Sequence, residues 1–296
     1  MYTADRKRRL AFEERGHPRG RPVFLLHGTP GSRVGPCPRG SVLYRLGVRL
    51  ITFDRPGYGE SDGLIGRSVA DIALDVAAIA DELEIDRFSV VGRSGGGPHA
   101  LACAALLPGR VVRAAVLVGL APHEAEGLDW FGGMTQSNIT EYTKALAGRQ
   151  SFADWLAPAA QQIRTDPASL IARLYTELPE ADRRMVANPG VRDMLLQNYA
   201  EALRLSEDGW IDDAIAFCSP WGFDLAAITA PTLLWHGEQD KFSPIDHSRW
   251  LAERIPTAVM RVERDAAHFG ALTVLPDVLP WLVTGLPWTT RDQRAA

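Results

Sequence analysis

The stretch Val90-Val91-Gly92-Arg93-Ser94-Gly95-Gly96 decides how this sequence is interpreted. It places a serine between small residues, directly after an apolar run and shortly before the helix-forming run 100–106. A buried strand that turns sharply into a helix at a serine is the setting of a nucleophile elbow. Glycine is needed in so tight a turn because a side chain would clash there, and the start of a helix favours negative charge. The stretch therefore predicts Ser94 as a nucleophile, although the pattern alone is also that of a plain strand-to-helix loop.

On both sides of this stretch, short apolar runs alternate with helical periodicity, which is typical of a mostly parallel sheet covered by helices. Ile72, Val76 and Ile79 recur at helical spacing while Asp71 and Asp75 fall on the opposite face, which predicts an amphipathic crossover helix. The predicted strands are 22–27, 49–54, 87–91, 112–118, 230–235 and 258–262, and the predicted helices include 68–85 and 272–282. The fold class is thus predicted as α/β with a doubly wound sheet.

The alternation of strands and helices stops near Pro122 and resumes after about residue 224. Between these points the chain consists of helical pieces rich in aromatic residues and broken by prolines. The breaks are predicted at Pro158, Pro167, Pro179 and Pro189. We therefore predict a core domain made of residues 1–121 and 225–296, interrupted by a helical insertion, 122–224, of small-domain length.

Loops at the ends of other predicted strands carry the remaining chemistry. The turn His27-Gly28-Thr29-Pro30-Gly31 offers backbone N–H groups that could face the same oxygen as the N–H of Gly95, and two such donors form an oxyanion hole. A simple strand-end turn is the alternative. Asp240 lies at the tip of the loop after strand 230–235, and His268 follows the last strand. The chain order is therefore Ser, Asp, His.

This set of motifs resembles the α/β-hydrolase fold family over about two thirds of the chain. The matching motifs are HGTPG at 27–31, DRPGYGES at 54–61, GRSGG at 92–96, HGEQD at 236–240 and AAHFG at 266–270. The resemblance implies Ser94 as nucleophile, His268 as general base and acid, and Asp240 as the residue that orients His268. It also implies the backbone N–H groups of Thr29 and Gly95 as the oxyanion hole, and the insertion as the cap of that family.

Other histidines and acids compete for these roles, and their local context separates them. The interpretation of the histidines is that His27 and His236 hold loop backbone, His99 is buried in a helix, and His17, His123 and His247 lack a loop after a strand. For the acid, Glu238 and Asp246 are the alternatives to Asp240, and Asp246 is expected to begin the next helix.

Substrate contacts are expected beside the serine and in the aromatic insertion, because pockets are largely apolar. The predicted substrate-binding residues are Gly28, Arg93, Trp130, Phe131, Trp210 and Phe269. Arg93 has two interpretations, a cation that faces substrate or a side chain packed behind the elbow, and the second is favoured. Most aromatic residues of the insertion are expected in its core.

The predicted reaction is hydrolysis of a carboxylic ester, lactone or thioester of a small hydrophobic molecule through an acyl-enzyme. The alternatives on the same triad are a C–C bond hydrolase, a biosynthetic acyltransferase or cyclase, and a peptidase that would need an acidic anchor such as Glu124, Glu126 or Asp129. A non-catalytic receptor is the less favoured alternative. An epoxide hydrolase or dehalogenase is disfavoured because it needs a carboxylate where Ser94 stands.

Composition limits the partners of the chain. The 296 residues carry a net charge of −4, so nucleic acid is not expected, and no apolar run has membrane-spanning length. The cluster Arg6-Lys7-Arg8-Arg9 is interpreted as a solvated face, and the protein is predicted to be cytoplasmic. Cys37, Cys103 and Cys218 are expected as reduced thiols without metal-ligand spacing. The expected partner is a small-molecule substrate, with no cofactor or metal; a homodimer is compatible with the sequence, which does not fix the oligomeric state.

Overall fold

A seven-stranded sheet organises the described residues, 8–286, of the computed structural model. In chain order the strands are β1 Phe12–Gly16, β2 Arg21–Leu26, β3 Val48–Phe53, β4 Phe88–Arg93, β5 Val111–Leu117, β6 Thr232–Gly237 and β7 Ala258–Glu263. Their order across the sheet is β1-β3-β2-β4-β5-β6-β7, and every pair is parallel except β1 with β3. The six predicted strands are confirmed with ends within two residues of the prediction.

The edge strand β1 was not predicted from the sequence. Its residues FEERG are half-buried or exposed, so they lack the apolar run that marks the inner strands. It pairs antiparallel with β3, where Glu14 lies opposite Ile51, and the Glu14 carboxylate forms an ion pair with Arg49. An edge position tolerates such a polar sequence because only one side of the strand is hydrogen-bonded.

Helices cover both faces of the sheet, as a doubly wound fold requires. They are α1 Gly40–Arg45, α2 Ile72–Glu82, α3 Gly96–Leu106, α10 Ile245–Arg254 and α11 Gly270–Thr284. Neighbouring side chains of a strand point to opposite faces, so Val90 packs in one apolar cluster with Val76 of α2, whereas Val91 packs in the other with Leu279 of α11. Because β4, β6 and β7 are parallel strands of this sheet, their carboxyl ends lie at the same edge.

The predicted crossover helix, 68–85, is present as the shorter α2, Ile72–Glu82, and its polar face also needs a correction. Asp75 is only 1% exposed, and its carboxylate accepts a hydrogen bond of 2.6 Å from Arg8. Arg8 therefore pairs with a buried acid instead of belonging to a fully solvated basic face, while Arg6 and Lys7 lie outside the described residues. Pairing explains the burial, because an unpaired carboxylate would be costly there.

Six α-helices lie between β5 and β6, within the predicted insertion 122–224, whose limits remain a prediction. They are α4 Gln136–Leu146, α5 Arg149–Thr165, α6 Ala168–Leu174, α7 Glu180–Ala187, α8 Pro189–Ala202 and α9 Asp208–Phe217. Pro167, Pro179 and Pro189 stand at helix starts, but Pro158 lies inside α5. The prediction of a break at Pro158 is wrong because one face of α5 is deeply buried, and that packing outweighs a lost backbone hydrogen bond.

Residues 8–286 contain neither a membrane-spanning helix nor a metal-binding cluster. None of the helices described there is long and apolar enough to cross a membrane. No group of three or more histidine, cysteine or acidic side chains in the same range is placed to hold a metal ion. The three cysteines are free, and Cys103 is buried in α3.

Candidate active site

The turn between β4 and α3 holds Ser94 in a backbone conformation that few residues other than glycine adopt. Its φ is 53°, in the left-handed region. A Cβ at Gly92 would overlap the carbonyl oxygen of Gly96, and a Cβ at Gly96 would overlap that of Leu26. The Ser94 N–H donates a 2.8 Å hydrogen bond to the carbonyl of Leu117 at the end of β5. The tight, glycine-dependent elbow predicted from the sequence is therefore confirmed.

Ser94, His268 and Asp240 meet at the carboxyl ends of three strands. The Oγ of Ser94 lies 2.9 Å from Nε2 of His268, and Nδ1 of His268 lies 2.8 Å from Oδ2 of Asp240. Asp240 also accepts backbone hydrogen bonds of 2.8 Å from Phe242 and 3.2 Å from Ser243. With Nδ1–H donating to Asp240, Nε2 is free to accept the Ser94 proton, which is the arrangement a general base needs.

The electrostatics of this pair suit proton transfer. Burial raises the pKa of Asp240, but the positive charge and hydrogen bonds of His268 and His236 outweigh it and hold this pKa well below its usual range. Burial lowers the pKa of His268, but the Asp240 carboxylate more than offsets it, so this pKa is raised above 6.5. Asp240 is thus ionised whenever His268 gains a proton, and it stabilises the imidazolium.

Among residues 8–286, the backbone N–H groups of Thr29 and Gly95 have no hydrogen-bond partner. The two residues are close neighbours, because a Cβ at Gly95 would overlap Oγ1 of Thr29, and both line the cavity above Ser94. This placement is compatible with the predicted oxyanion hole.

A buried charge cluster fixes the turn that carries Thr29. Oγ1 of Thr29 donates a 2.6 Å hydrogen bond to Oδ2 of Asp213 in helix α9. Asp213 is fully buried and forms salt bridges of 2.5 Å with Arg55 and 2.6 Å with Arg67. Burial raises the pKa of Asp213, but the two guanidinium groups outweigh it and hold this pKa well below its usual range. A residue of the insertion thus positions the turn beside the serine.

A second acid of the insertion holds the loop of His268. Asp182 in α7 is fully buried, and its carboxylate accepts backbone hydrogen bonds of 3.2 Å from His268 and 2.7 Å from Phe269. Burial raises the pKa of Asp182 to about 6. Its charge in turn raises the pKa of His268. The backbone position of His268 therefore depends on the insertion as well as on the core.

Two cavities meet at Ser94 and His268. The larger one has a volume of about 100 Å³, which is several times the roughly 10–15 Å³ that one water molecule needs. It lies under the insertion and is walled by aromatic residues, among them the predicted Trp210 and Phe269. The smaller one, about 70 Å³, is lined by the predicted Gly28 and Arg93.

Arg93 packs behind the elbow, as the favoured interpretation expects, and also forms part of the smaller cavity's wall. It is 6% exposed and donates a hydrogen bond of 3.0 Å to the carbonyl of Pro36. Burial lowers the pKa of Arg93 to about 10, and its positive charge lowers the pKa of His268. Whether Arg93 contacts substrate remains a prediction.

Trp130 and Phe131 are absent from the lining of both cavities, contrary to the expectation that they contact substrate. Trp130 is 4% exposed, donates a 2.9 Å hydrogen bond to the carbonyl of Ala121, and packs edge-on against Phe131 and Tyr142. Its ring is used to pack the base of the insertion. The acids proposed as amine anchors, Glu124, Glu126 and Asp129, are exposed and also lie outside both cavities.

The competing histidines have the structural roles that their context predicts. His27 bonds the carbonyl of Gly28 at 2.8 Å and accepts the N–H of Arg55 at 3.2 Å. His236 contacts Ser248 and the carbonyl of Ser243, both at 2.7 Å. His99 is fully buried, 3.2 Å from Asp213. None of these three rings lies in the cavities that meet at Ser94.

Asp182, Asp213 and Glu141 were missed by sequence reasoning. Each lies on a helix of the insertion, where surface charges are common, and no local motif distinguishes it from the other acids there. The only available signal is that Asp213 stands in the apolar run DAIAF of α9, where a buried charge would require a partner.

Comparison with known proteins places the chain in a family. A family model described as alpha/beta hydrolase fold matches residues 21–273. The chain is 28% identical to a 2-hydroxy-6-oxononadienedioate/2-hydroxy-6-oxononatrienedioate hydrolase of Cupriavidus pinatubonensis, over 83% of this chain and 80% of that protein. It is also 28% identical to a 2-hydroxymuconate semialdehyde hydrolase of Pseudomonas putida, over 84% of this chain and 81% of that protein.

Solved structures resemble the fold at lower identity. A thermophilic esterase from Thermogutta terrifontis has a TM-score of 0.64 and 24% identity, covering 91% of this chain and 90% of that one. The enol-lactonase from Burkholderia xenovorans LB400 has a TM-score of 0.65 and 21% identity, covering 91% of this chain and 93% of that one. The match of the family model spans strands β2 to β7, the predicted insertion and all three residues of the serine, aspartate and histidine set, and the chain therefore belongs to the alpha/beta hydrolase fold family.

Proposed function

We propose that the protein hydrolyses a carbon–carbon bond next to a ketone in a small organic acid, with Ser94 as nucleophile. Two contacts support hydrolysis by a serine nucleophile. Oγ of Ser94 lies 2.9 Å from Nε2 of His268, and Nδ1 of His268 lies 2.8 Å from Oδ2 of Asp240. The choice of bond is supported by the two relatives at 28% identity, whose names describe hydrolases of 2-hydroxy-6-oxo dienoic acids and of a muconate semialdehyde.

The proposed reaction has two halves. His268 takes the proton of Ser94 as Oγ attacks the ketone carbon, and the developing oxyanion accepts hydrogen bonds from the N–H groups of Thr29 and Gly95. The tetrahedral adduct then breaks its carbon–carbon bond. The electron pair leaves on the departing fragment as an enolate, and carbon takes the proton from the His268 imidazolium. Water, deprotonated by His268, next attacks the acyl-serine and releases the acid and free Ser94.

This chemistry limits the substrate. A carbanion is a poor leaving group, so the departing fragment must carry a carbonyl that accepts the electron pair. An ester needs no such group, because an alkoxide leaves directly. Hydrolysis of a carboxylic ester or lactone is the second candidate, since the same three residues and the same acyl-serine would serve it.

Turnover of matched substrates tests the proposal. 2-Hydroxy-6-oxohepta-2,4-dienoate has a ketone at C6, its 2-keto tautomer supplies the carbonyl that accepts the electron pair, and its cleavage is followed by the loss of dienol absorbance together with the release of acetate. A p-nitrophenyl ester of similar length releases nitrophenolate. We expect kcat/KM for the dienoate to exceed that for the ester, and Ser94→Ala to lose both activities. Ester cleavage without dienoate cleavage would transfer the assignment to the second candidate. Dienoate cleavage that persists in Ser94→Ala would refute the mechanism.

A further inference from the structure

One acid faces the larger cavity and has no place in the mechanism. Glu141 of α4 lies in the cavity wall on the side formed by the insertion, with Tyr142, Trp155 and Trp210 as neighbouring lining residues. Within residues 8–286 its side chain has a single hydrogen-bond donor, Nε1 of Trp210, at 2.7 Å from Oε1. Its second oxygen, Oε2, accepts no hydrogen bond from the described residues.

The charge of Glu141 is poorly compensated by the protein. The guanidinium of Arg173 acts on it only at a distance: it lies over the ring of Trp155, 5.3 Å from the ring centroid, and forms no salt bridge with Glu141 among the described residues. Burial accordingly raises the pKa of Glu141 to about 7, against the effect of the Trp210 hydrogen bond. A carboxylate held in an apolar wall with one donor is costly unless a ligand supplies another.

The aromatic walls favour the same kind of ligand. The faces of Trp and Tyr attract cations, and Arg173 over Trp155 shows this contact in the cavity wall itself. A second carboxylate, by contrast, would add its charge to that of Glu141. Arg173 is the only arginine or lysine that the described residues place in this wall, and its guanidinium is already engaged over the ring of Trp155, so the like charges would repel.

We propose that Glu141 is the specificity-determining residue of the larger cavity and selects a substrate arm that ends in a hydrogen-bond donor, an alcohol or an amine, while rejecting an arm that ends in a carboxylate. The donor binds Oε2 of Glu141 while Trp210 holds Oε1, so the carboxylate is oriented before the ligand arrives. This inference rests on the proposed function only in that the same cavity opens on Ser94. It narrows the substrate to an acid whose far arm is neutral or positively charged.

Three ligands that differ in one terminal group test it: 4-phenylbutan-1-ol, 4-phenylbutylamine and 4-phenylbutyrate. Their binding is measured by calorimetry at pH 8, where Glu141 is ionised, on Ser94→Ala protein, so that binding is read apart from chemistry. We expect the alcohol, the amine or both to bind at least about tenfold more tightly than the carboxylate, the lower end for a hydrogen bond to a charged group. Binding of the amine alone identifies an ammonium arm, and binding of the alcohol alone identifies a neutral donor.

The variant Glu141→Gln keeps the shape and the Trp210 contact but removes the charge. In this background we expect the amine to bind about tenfold more weakly and the carboxylate about tenfold more tightly. The matched control is Glu124→Gln, an exposed acid of the same insertion outside both cavities, which should leave all three affinities unchanged. Unchanged affinities of the amine and the carboxylate in Glu141→Gln, a preference for the carboxylate while Glu141 is intact, or no binding of any ligand would overturn the proposal.

The order of the three affinities in Ser94→Ala protein with Glu141 intact tests the proposal even if Glu141→Gln fails to fold. Failure of the proposed function has a different signature, the absence of turnover at Ser94. Binding of these ligands needs no reaction at that residue, so the two outcomes are separable.

Discussion

The carboxylate of Asp182, in helix α7 of the insertion, accepts a 2.7 Å hydrogen bond from the backbone N–H of Phe269, the residue that follows His268. A second bond of 3.2 Å comes from the N–H of His268 itself. The insertion is thus tied directly to the loop that carries the proposed base. Movement of α7 would alter the distance between His268 and Ser94 without any change in the sheet.

Replacing Asp182 with Ala should lower kcat/KM by at least tenfold, because two hydrogen bonds to a charged group, each worth about 1.5–3 kcal/mol, no longer fix the loop. Asp182→Asn should also move the acidic limb of the pH profile of kcat/KM to lower pH, since the Asp182 charge raises the pKa of His268. Steady-state rates across pH measure both effects. The control is Asp193→Asn, an exposed acid of α8. An acidic limb that stays in place in Asp182→Asn would contradict the electrostatic coupling.

The pH dependence of the wild type follows from His268. The imidazole must be neutral to accept the Ser94 proton, and its pKa is raised by Asp240, so kcat/KM should rise with pH to a midpoint above 6.5. In Asp240→Asn this support is lost, so the midpoint should fall and the rate should drop by up to about 10⁴-fold. The contribution of His268 to the free energy of unfolding has the opposite pH dependence. It is fully present below pH 6.5 and is lost as pH rises through the raised pKa. A midpoint unchanged in Asp240→Asn would count against the pairing.

Removing the Asp213 carboxylate should strongly destabilise the fold. Asp213→Ala leaves the buried guanidinium groups of Arg55 and Arg67 without their partner, a change that costs about 3–5 kcal/mol of unfolding free energy. Urea denaturation measures it. Asp208→Ala in the same helix provides the contrast, because Asp208 is half exposed and its pair with Arg149 is worth at most about 1 kcal/mol. Equal losses in both variants would show that burial of the cluster does not matter.

Glycine at the elbow should be irreplaceable. In Gly96→Ala the new Cβ would overlap the carbonyl oxygen of Leu26, so the backbone must shift, at a cost of about 1–3 kcal/mol and with loss of the Ser94 geometry. Gly109→Ala, where nothing lies within 4 Å of the added Cβ, is the matched control and should keep wild-type activity. Thermal unfolding and turnover are the measurements. Full activity in Gly96→Ala would contradict the elbow geometry.

The sheet and the Ser94, Asp240 and His268 set could be predicted from the sequence because these features follow local rules. Buried parallel strands are apolar runs, a tight elbow needs glycine, and each of the three residues follows a strand in the family's order. Strand β1 was not predicted because an edge strand needs no apolar run. Asp75 was misplaced because helical periodicity cannot show that Arg8, far away in the chain, covers the polar face of α2.

The side chains that line the cavities could not be predicted from the sequence, for a physical reason. Helices of the insertion pack against one another through contacts distant in the chain, so Trp130 and Trp210 look alike in sequence. One of them fills the base of the insertion and the other lines the cavity. In the sequence, Asp182 and Glu141 likewise look like ordinary helical acids. Only the tertiary structure shows that Asp182 binds the backbone of the His268 loop and that Glu141 binds the indole of Trp210.

The central claim is that Ser94 is the nucleophile, and covalent labelling tests it most directly. A fluorophosphonate probe followed by peptide mass spectrometry should find one adduct, on Ser94, in the wild-type protein. Ser94→Ala should carry none, and His268→Ala should label orders of magnitude more slowly because the three residues act as a unit. A wild-type protein that stays unlabelled, or a Ser94→Ala protein that labels as fast as the wild type, would contradict the account.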